Sequence, residues 1–349
     1  MSHIEVGVLG ATGMVGQQFV RLLAGHPWFR LTWLAASERS AGKPYRAAAA
    51  WRLASVLPDE AARLVVEEPV PGKGPRLVFS GLDAGVAGEV EAAFAASGHL
   101  VVSNARNFRM EAAVPLLVPE VNPDHLALVP GQRREKGWKG AIITNPNCST
   151  VFLAMALAPL RAFGLESAVV TTLQAISGAG YPGVPSFDIA GNVVPFIGGE
   201  EEKIESETTK ILGTLQDGQV APHPVAVSAH TTRVPVVDGH TEMVSVACAA
   251  KPSLDEVRRA FTSFRGRPQE DQLPSAPAQP LLYLDEPNRP QPRLDAEREH
   301  GMVVSIGRLR PCRVLDFKFV ALGHNTVRGA AGAAILNAEL MRADGLLAD

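Results

Sequence analysis

Short apolar runs alternate with longer mixed stretches through the first part of the chain. Residues 4–9, 31–36, 77–79, 99–103 and 141–144 are apolar runs of strand length. Residues 14–24 and 84–96, lying between them, carry apolar positions at helical spacing. A βαβ alternation of this kind predicts a parallel sheet with helices on both faces.

The pattern changes at Val169. Apolar runs at residues 169–176, 226–228, 233–237, 242–249, 302–309 and 315–322 read as strands, with helices at 200–212 and 253–264. Longer strands with fewer intervening helices predict a mixed or antiparallel sheet, hence a second, α+β unit. The Pro-rich stretch 267–293 reads as a long connection that contacts another subunit or acts as a lid. Residues 325–341 are Ala-rich and amphipathic, a closing helix expected to return to the first unit. The expected division is a nucleotide-binding domain from 1–147 with 325–349, and a catalytic and dimerisation domain from 148–324.

Composition narrows the function classes. The 349 residues are 46% hydrophobic and 20% charged, with a formal net charge of −3. That balance, without a dense Lys/Arg run, argues against nucleic-acid and membrane-surface partners and for a small-molecule substrate. No apolar stretch approaches the roughly 18–20 residues of a membrane span, and no leader pattern opens the sequence. Three widely spaced cysteines, Cys148, Cys248 and Cys312, make neither a disulfide framework nor a zinc pattern, so no metal is expected. A reducing cytoplasm is the expected compartment.

Gly10, Gly13 and Gly16 fall at the end of the first predicted strand and the start of the first predicted helix. Glycines there permit a tight turn and let the amides of Thr12, Gly13, Met14, Val15 and Gly16 approach a pyrophosphate at the helix N-terminus. Beyond the second predicted strand, Ser37, Arg39 and Ser40, with Lys43 nearby, suit the 2′-phosphate of NADP, whereas Glu38 is the feature an NAD site would use. NADP is the favoured cofactor.

Asn145-Pro146-Asn147-Cys148-Ser149-Thr150 ends a predicted strand and begins an apolar helix. A cysteine at a helix N-terminus sits at the positive end of the dipole, which favours the thiolate. A thiolate that attacks a carbonyl gives a hemithioacetal or thioester able to exchange hydride with a nicotinamide. Cys248, in an apolar strand, and Cys312 read as packing residues. His26 and His223, each beside proline, read as surface or turn residues, and His230 is an alternative to His240 as acid/base.

Five segments, residues 145–150, 174–180, 200–203, 233–240 and 325–332, resemble the aspartate-semialdehyde dehydrogenase family in the right order, closest to its archaeal and fungal branch. The resemblance implies a Rossmann-type NADP domain joined to a catalytic domain of the glyceraldehyde-3-phosphate-dehydrogenase-like type, in a homodimer or homotetramer. It implies NADPH-dependent reductive dephosphorylation of aspartyl-4-phosphate, or the reverse, a step feeding lysine, methionine and threonine synthesis. Mapped residue by residue, the nucleophile falls on Cys148 and the acid/base on His240. Arg233 is implied for the substrate carboxylate, Glu200 for its ammonium group, and Lys203 and Arg109 for phosphate, with Arg106 the alternative to Arg109. Gln174 and Asn147 are implied at the substrate, Ser177 and Gly178 at the cofactor, and Asn325 at the nicotinamide amide. His324 stands where many members carry an acidic residue. Asp238-Gly239 reads as a tight turn joining strands 233–237 and 241–249, which would put Arg233 and His240 on one sheet face. Related cysteine reductases acting on N-acetyl-glutamyl phosphate or malonyl-CoA, and a non-catalytic NADP-binding homologue, are the alternatives.

Overall fold

The structure, a computed structural model, describes residues 3–347. Its first sheet has six parallel strands: β1 (Ile4–Leu9), β2 (Phe29–Ala35), β3 (Val66–Glu67), β4 (Leu77–Ser80), β5 (Leu100–Ser103) and β6 (Ala141–Thr144). Their order is β3-β2-β1-β4-β5-β6. This is a doubly wound arrangement whose switch point lies between β1 and β4, where such sheets hold dinucleotides. Every residue of β4, β5 and β6 is buried, as expected of strands covered on both faces. Helices α1 (Met14–Leu23) and α2 (Ala84–Ser97) supply part of that cover.

After β6 the chain enters α3 (Cys148–Leu157) and builds a second sheet. Its elements are β7 (Leu165–Gln174), α4 (Glu200–Ile211), a small hairpin of β8 (Thr214–Gln216) and β9 (Gln219–Ala221), then β10 (Ala226–Arg233) and β11 (His240–Cys248). There follow α5 (Leu254–Ser263), β12 (Leu281–Leu284), β13 (Val304–Pro311) and β14 (Phe317–Gly323). The six-stranded mixed sheet runs β10-β7-β11-β14-β13-β12. Val170, Val244, Val246 and Phe319 on one face share a core with Phe152, Leu153 and Ile204 of α3 and α4 and with Phe261 of α5. Ser253 and Glu256 cap α5 reciprocally, which starts the helix where the sequence predicts it.

The closing helix α6 (Gly332–Ala343) begins only after a wider turn over Val327–Ala331. Ile335, Leu336, Leu340 and Met341 join the core of the first sheet, as expected. His26, expected at the surface, is instead buried, with Nε2 2.8 Å from Glu339 Oε1 of α6. The backbone amides of Trp28 and Phe29 donate to its Nδ1, so the ring bridges the turn before β2 to the closing helix.

Three further expectations are corrected. Residues 226–228 and 233–237 are not separate strands, because β10 is continuous through His230-Thr231-Thr232 and ends at Arg233. Residues 234–237 then leave the sheet. Pro235 has no amide to donate, although Val234 N still reaches Gln174 O at 3.0 Å. No hairpin joins β10 to β11, since β7 lies between them, parallel to β10 and antiparallel to β11. The Pro-rich stretch is not an unbroken connection. It contains β12, which pairs parallel to β13 as an edge of the sheet.

The register builds one polar layer into the second core. Thr231 of β10, Thr172 of β7 and Glu242 of β11 are cross-strand partners in one row, all buried. Neither carboxyl oxygen of Glu242 has a hydrogen-bond partner among the described residues. Burial holds that carboxyl well above the usual range, because no cation offsets the cost of ionising it. In the unfolded chain it ionises above about pH 4.3, whereas in the fold it stays protonated, so it lowers stability increasingly as pH rises through that window. Glu242→Gln should therefore flatten the fall in unfolding free energy between mildly acidic and neutral pH and raise stability at neutral pH. Denaturant melts of both proteins across that range check this; an unchanged slope would mean that the carboxyl ionises normally.

Candidate active site

A cleft of about 510 Å³ opens between the two sheets and is lined by Arg109, Asn147, Cys148, Gln174, Ser177, Gly178, Glu200, Lys203, Arg233 and Asn325. A cavity of similar size, about 500 Å³, lies behind α1 around Val20, Leu23 and Phe29, but none of the candidate residues lines it.

Cys148 is the first residue of α3, and Asn147 is its N-cap. Asn147 Oδ1 accepts the amides of Ser149 at 3.0 Å and Thr150 at 3.3 Å, two of the donors at the helix end. Asn147 Nδ2 donates to Glu200 Oε2 at 2.6 Å, and its backbone N–H donates to Glu207 Oε2 at 2.6 Å. The polar groups of Asn147 expected on substrate are thus engaged with the protein. Lys203 Nζ lies 2.6 Å from Glu200 Oε1.

His240 Nε2 stands 3.2 Å from Cys148 Sγ, across 92 residues of sequence. Its Nδ1 accepts the Ala175 N–H at 3.0 Å, so the neutral ring carries its proton on Nε2, facing the sulfur. Arg233 and Gln174 are cross-strand partners at the ends of β10 and β7, and His240 opens the adjacent β11. The three functional candidates therefore share the sheet's end through register, not through the expected hairpin. Gly178 packs directly over them: a Cβ there would stand 2.9 Å from Arg233 Nη1 and 3.1 Å from His240 Cε1. His230, the alternative acid/base, is exposed on β10 and does not line the cleft.

The electrostatics correct one expectation. Cys148 is half-buried and lines the cleft, but surrounding protein pushes its thiol up to about 12, with Glu200 adding to the rise. The guanidinium groups of Arg109 and Arg233 act in the opposite direction. Burial therefore outweighs the helix-end effect that the sequence predicts. His240 is held well below its ordinary value, first by burial and then by Arg233 and His324, and so rests neutral.

Arg109 is buried, donating from Nη1 to Glu207 Oε1 at 2.9 Å and from Nη2 to Asn104 O at 2.7 Å, with Nε unpartnered among the described residues. Arg106, its alternative, is an exposed residue of the cleft lining. Arg233 Nη1 donates to Ala175 O at 2.7 Å. Asn325 is engaged at both ends of its amide: Nδ2 donates to Ser177 Oγ at 2.7 Å, and Oδ1 accepts the Gly239 N–H at 2.8 Å. His324 Nε2 lies 3.1 Å from Glu297 Oε1.

The nucleotide-binding candidates lie at the switch point. Gly10 has φ of +73°, and a Cβ at Gly16 would come within 2.3 Å of Gly10 O. Gly13, the N-cap of α1, offers no side-chain acceptor to the first-turn amides. Val15 lines the main cleft, and Met14 lines an adjoining depression with Ser177. The Gly13 N–H donates to Gly10 O at 3.1 Å, but no side chain caps the first turn of α1, so the residues present fit a dinucleotide pyrophosphate at that helix end. Ser37 and Ser40 belong to a turn after β2, with Arg39 exposed beside them.

Sequence reasoning missed Glu207 and Lys210. Both continue the stripe of α4 begun by Glu200 and Lys203, but a charged helix reads as solvated until its packing partners are known. Among the described residues, no helix is long and apolar enough to cross a membrane and no cluster suits a metal ion.

Two family profiles match the chain: the semialdehyde dehydrogenase NAD-binding domain over residues 5–129 and the semialdehyde dehydrogenase dimerisation domain over 157–328. The aspartate-semialdehyde dehydrogenase of Methanothermobacter thermautotrophicus is 52% identical over 97% of this chain and 99% of its own. That of Cryptococcus neoformans is 52% identical over 99% and 98%. The crystal structure of the Candida albicans enzyme with NADP superposes with a TM-score of 0.91 at 45% identity, covering 99% of this chain and 100% of that one. Two profiles covering most of the chain, near-complete alignment with archaeal and fungal relatives, and a cysteine–histidine contact at the cleft floor converge: the chain belongs to the aspartate-semialdehyde dehydrogenase family.

Proposed function

We infer that the chain is an NADP-dependent dehydrogenase that reduces L-aspartyl-4-phosphate to L-aspartate 4-semialdehyde with release of phosphate, and runs the reverse reaction. The observation that carries this reading is the 3.2 Å contact between Cys148 Sγ and His240 Nε2, in a cleft that also gathers Arg109, Arg233 and the Glu200–Lys203 pair. Its product serves lysine, methionine and threonine synthesis in the cytoplasm.

Cys148 attacks the acyl carbon, its sulfur–carbon bond forming as the carbon–oxygen bond to phosphate breaks. The departing phosphate takes up the thiol proton, leaving the sulfur bonded to the acyl carbon beside the His240 Nε2–H, with Arg109 and Arg233 near enough to favour the negative charge the sulfur gains as it attacks. The same Nε2–H serves the oxygen that develops charge on the substrate carbon. Arg233 takes the substrate carboxylate, where a planar fork matches two oxygens. Glu200, held by Asn147, takes the ammonium group, a partner that an N-acylated substrate would not require. Arg109 and Lys203 receive the phosphate, and Gln174 and Asn147 shape the wall between them. NADPH, when bound, supplies hydride. The loop Gly10, Thr12, Gly13, Met14, Val15 and Gly16 holds its pyrophosphate, Ser37, Arg39 and Ser40 its 2′-phosphate, and Ser177, Gly178 and Asn325 the nicotinamide end.

The protein works as a homodimer. The face of the second sheet turned away from its helices exposes Val169 on β7 and Met243 on β11, beside Arg308, Arg310 and Lys318. A matching face of a second copy would cover the apolar centre, in keeping with the dimerisation profile over these strands.

Separate kinetic terms test the substrate roles. With semialdehyde and phosphate varied independently in the oxidative direction, Arg233→Lys should weaken the semialdehyde term by roughly 2–3 kcal/mol, because an ammonium cannot reproduce the bidentate pair. Lys203→Ala should raise the phosphate KM and leave the semialdehyde term close to wild type. The opposite pattern would exchange the two roles. For the cofactor, Arg39→Ala should weaken NADPH binding roughly tenfold or more while barely changing NADH, since a charge-assisted contact to the 2′-phosphate is lost. Equal losses for both nucleotides would move the phosphate contact away from Arg39.

A further inference from the structure

Helix α4 places Glu200, Lys203, Glu207 and Lys210 at successive intervals of three, four and three residues, a single stripe along the helix. The first two belong to the substrate reading above. The last two have no part in it, yet both are almost fully buried. Glu207 spends its two oxygens on different segments. Oε1 accepts Arg109 Nη1 at 2.9 Å, and Oε2 accepts the backbone N–H of Asn147, the residue before the nucleophile, at 2.6 Å. One turn further on, Lys210 Nζ donates to Arg109 O at 2.7 Å, Glu111 O at 2.8 Å and Val114 O at 2.9 Å.

We propose that Glu207 is a positioning residue that sets the guanidinium of Arg109 at a fixed place relative to Cys148, by holding Arg109 and the N-cap amide of the nucleophile's helix on one carboxylate. This rests on the reading that Arg109 receives phosphate. Arginine has several rotatable bonds, and a buried arginine with a single fixed partner could still place its remaining N–H groups in more than one way. Glu207 and the Asn104 carbonyl together hold the fork at two points, and Lys210 fixes the backbone from which it springs. Arg109 lines the cleft, and its guanidinium keeps N–H groups beyond the two spent on Glu207 and Asn104 for an incoming anion. A phosphate bound there stands at a distance from Sγ that is set by a carboxylate touching both segments. In the oxidative direction phosphate attacks a thioester on that sulfur, and a displacement of about 1 Å in such a reaction costs on the order of 100-fold in rate. Stability alone does not account for the arrangement, since an apolar residue of similar volume commonly replaces a buried ion pair without loss.

The test is a double-mutant cycle read by steady-state kinetics of semialdehyde oxidation with phosphate varied, on Glu207→Gln, Arg109→Ala and the double variant. A glutamine side chain at this position would offer one acceptor oxygen where two donors need one each, so Glu207→Gln should raise the phosphate KM about tenfold and lower kcat, with the semialdehyde KM within about twofold of wild type. In the Arg109→Ala background the same change should have little further effect on the phosphate KM, because the group being positioned is gone. Glu207→Asp, which keeps the charge but is one methylene too short to span both donors, covers the case in which the glutamine variant does not fold, and it should show the same split. Equal effects of Glu207→Gln in both backgrounds, or a lower melting temperature with unchanged kinetics in either Glu207 variant, would overturn the proposal. If Arg109→Ala itself leaves the phosphate KM unchanged, Arg109 is not the phosphate ligand, and the reading on which the proposal rests is what fails.

Discussion

The cap of α3 is where the two halves of the molecule meet chemically. Asn147 closes the helix with its own side-chain oxygen and is tied from two directions by carboxylates of α4, Glu200 at its amide nitrogen and Glu207 at its backbone. Asn145, two residues earlier, donates to Ala330 O at 2.8 Å and to Asn104 Oδ1 at 2.8 Å, binding the end of β6 to the turn before the closing helix and to the loop that carries Arg109. Gly329 of that same turn lies so close that an added Cβ would stand 2.6 Å from Cys148 Cβ. Each of these contacts fixes where the sulfur sits, and each comes from a different part of the chain. Moving the cap would move the sulfur relative to every group that lines the cleft with it.

Around that fixed point the second sheet supplies its partners by register. The ends of β10, β7 and β11 deliver Arg233, Gln174 and His240 side by side, and Gly178 leaves the room for them. The thiol and the imidazole are both kept neutral by burial, and two guanidinium groups bias the sulfur the other way. The cleft therefore holds this thiol and imidazole in an uncharged resting form while carrying fixed positive charge beside the sulfur. An anionic substrate entering such a site meets that charge without the reorganisation water would require.

Much of the first sheet was legible, because parallel strands buried on both faces are continuous apolar runs and the helices between them keep their own period. β3, only Val66–Glu67, carries too little pattern to be seen. The second sheet was harder. The apolar residues Val234, Val236 and Val237 mimic a strand, and the insertion of β7 between β10 and β11 is a long-range event that no local pattern records. Cys148 and His240 could be named because their neighbours are distinctive, and the structure brings them together. The buried polar residues could not. Glu207, Lys210 and Glu242 have ordinary charged-residue surroundings in sequence, and Glu207 and Lys210 take partners 60 to 101 residues away. His26 looked like a turn residue because it is one, and its burial depends on Glu339, 313 residues further on.

The central claim is that Cys148, and not another group, forms the covalent bond to substrate. Mixing the protein with aspartate semialdehyde and NADP in the absence of phosphate should produce about one equivalent of NADPH per active site in a burst, since the first half of a two-step covalent reaction proceeds without the second substrate. Mass spectrometry of the quenched protein should find one acyl group, released by hydroxylamine, on the peptide that contains Cys148. A protein that gave no burst and no adduct, or that carried the acyl group on Cys312, would contradict the account.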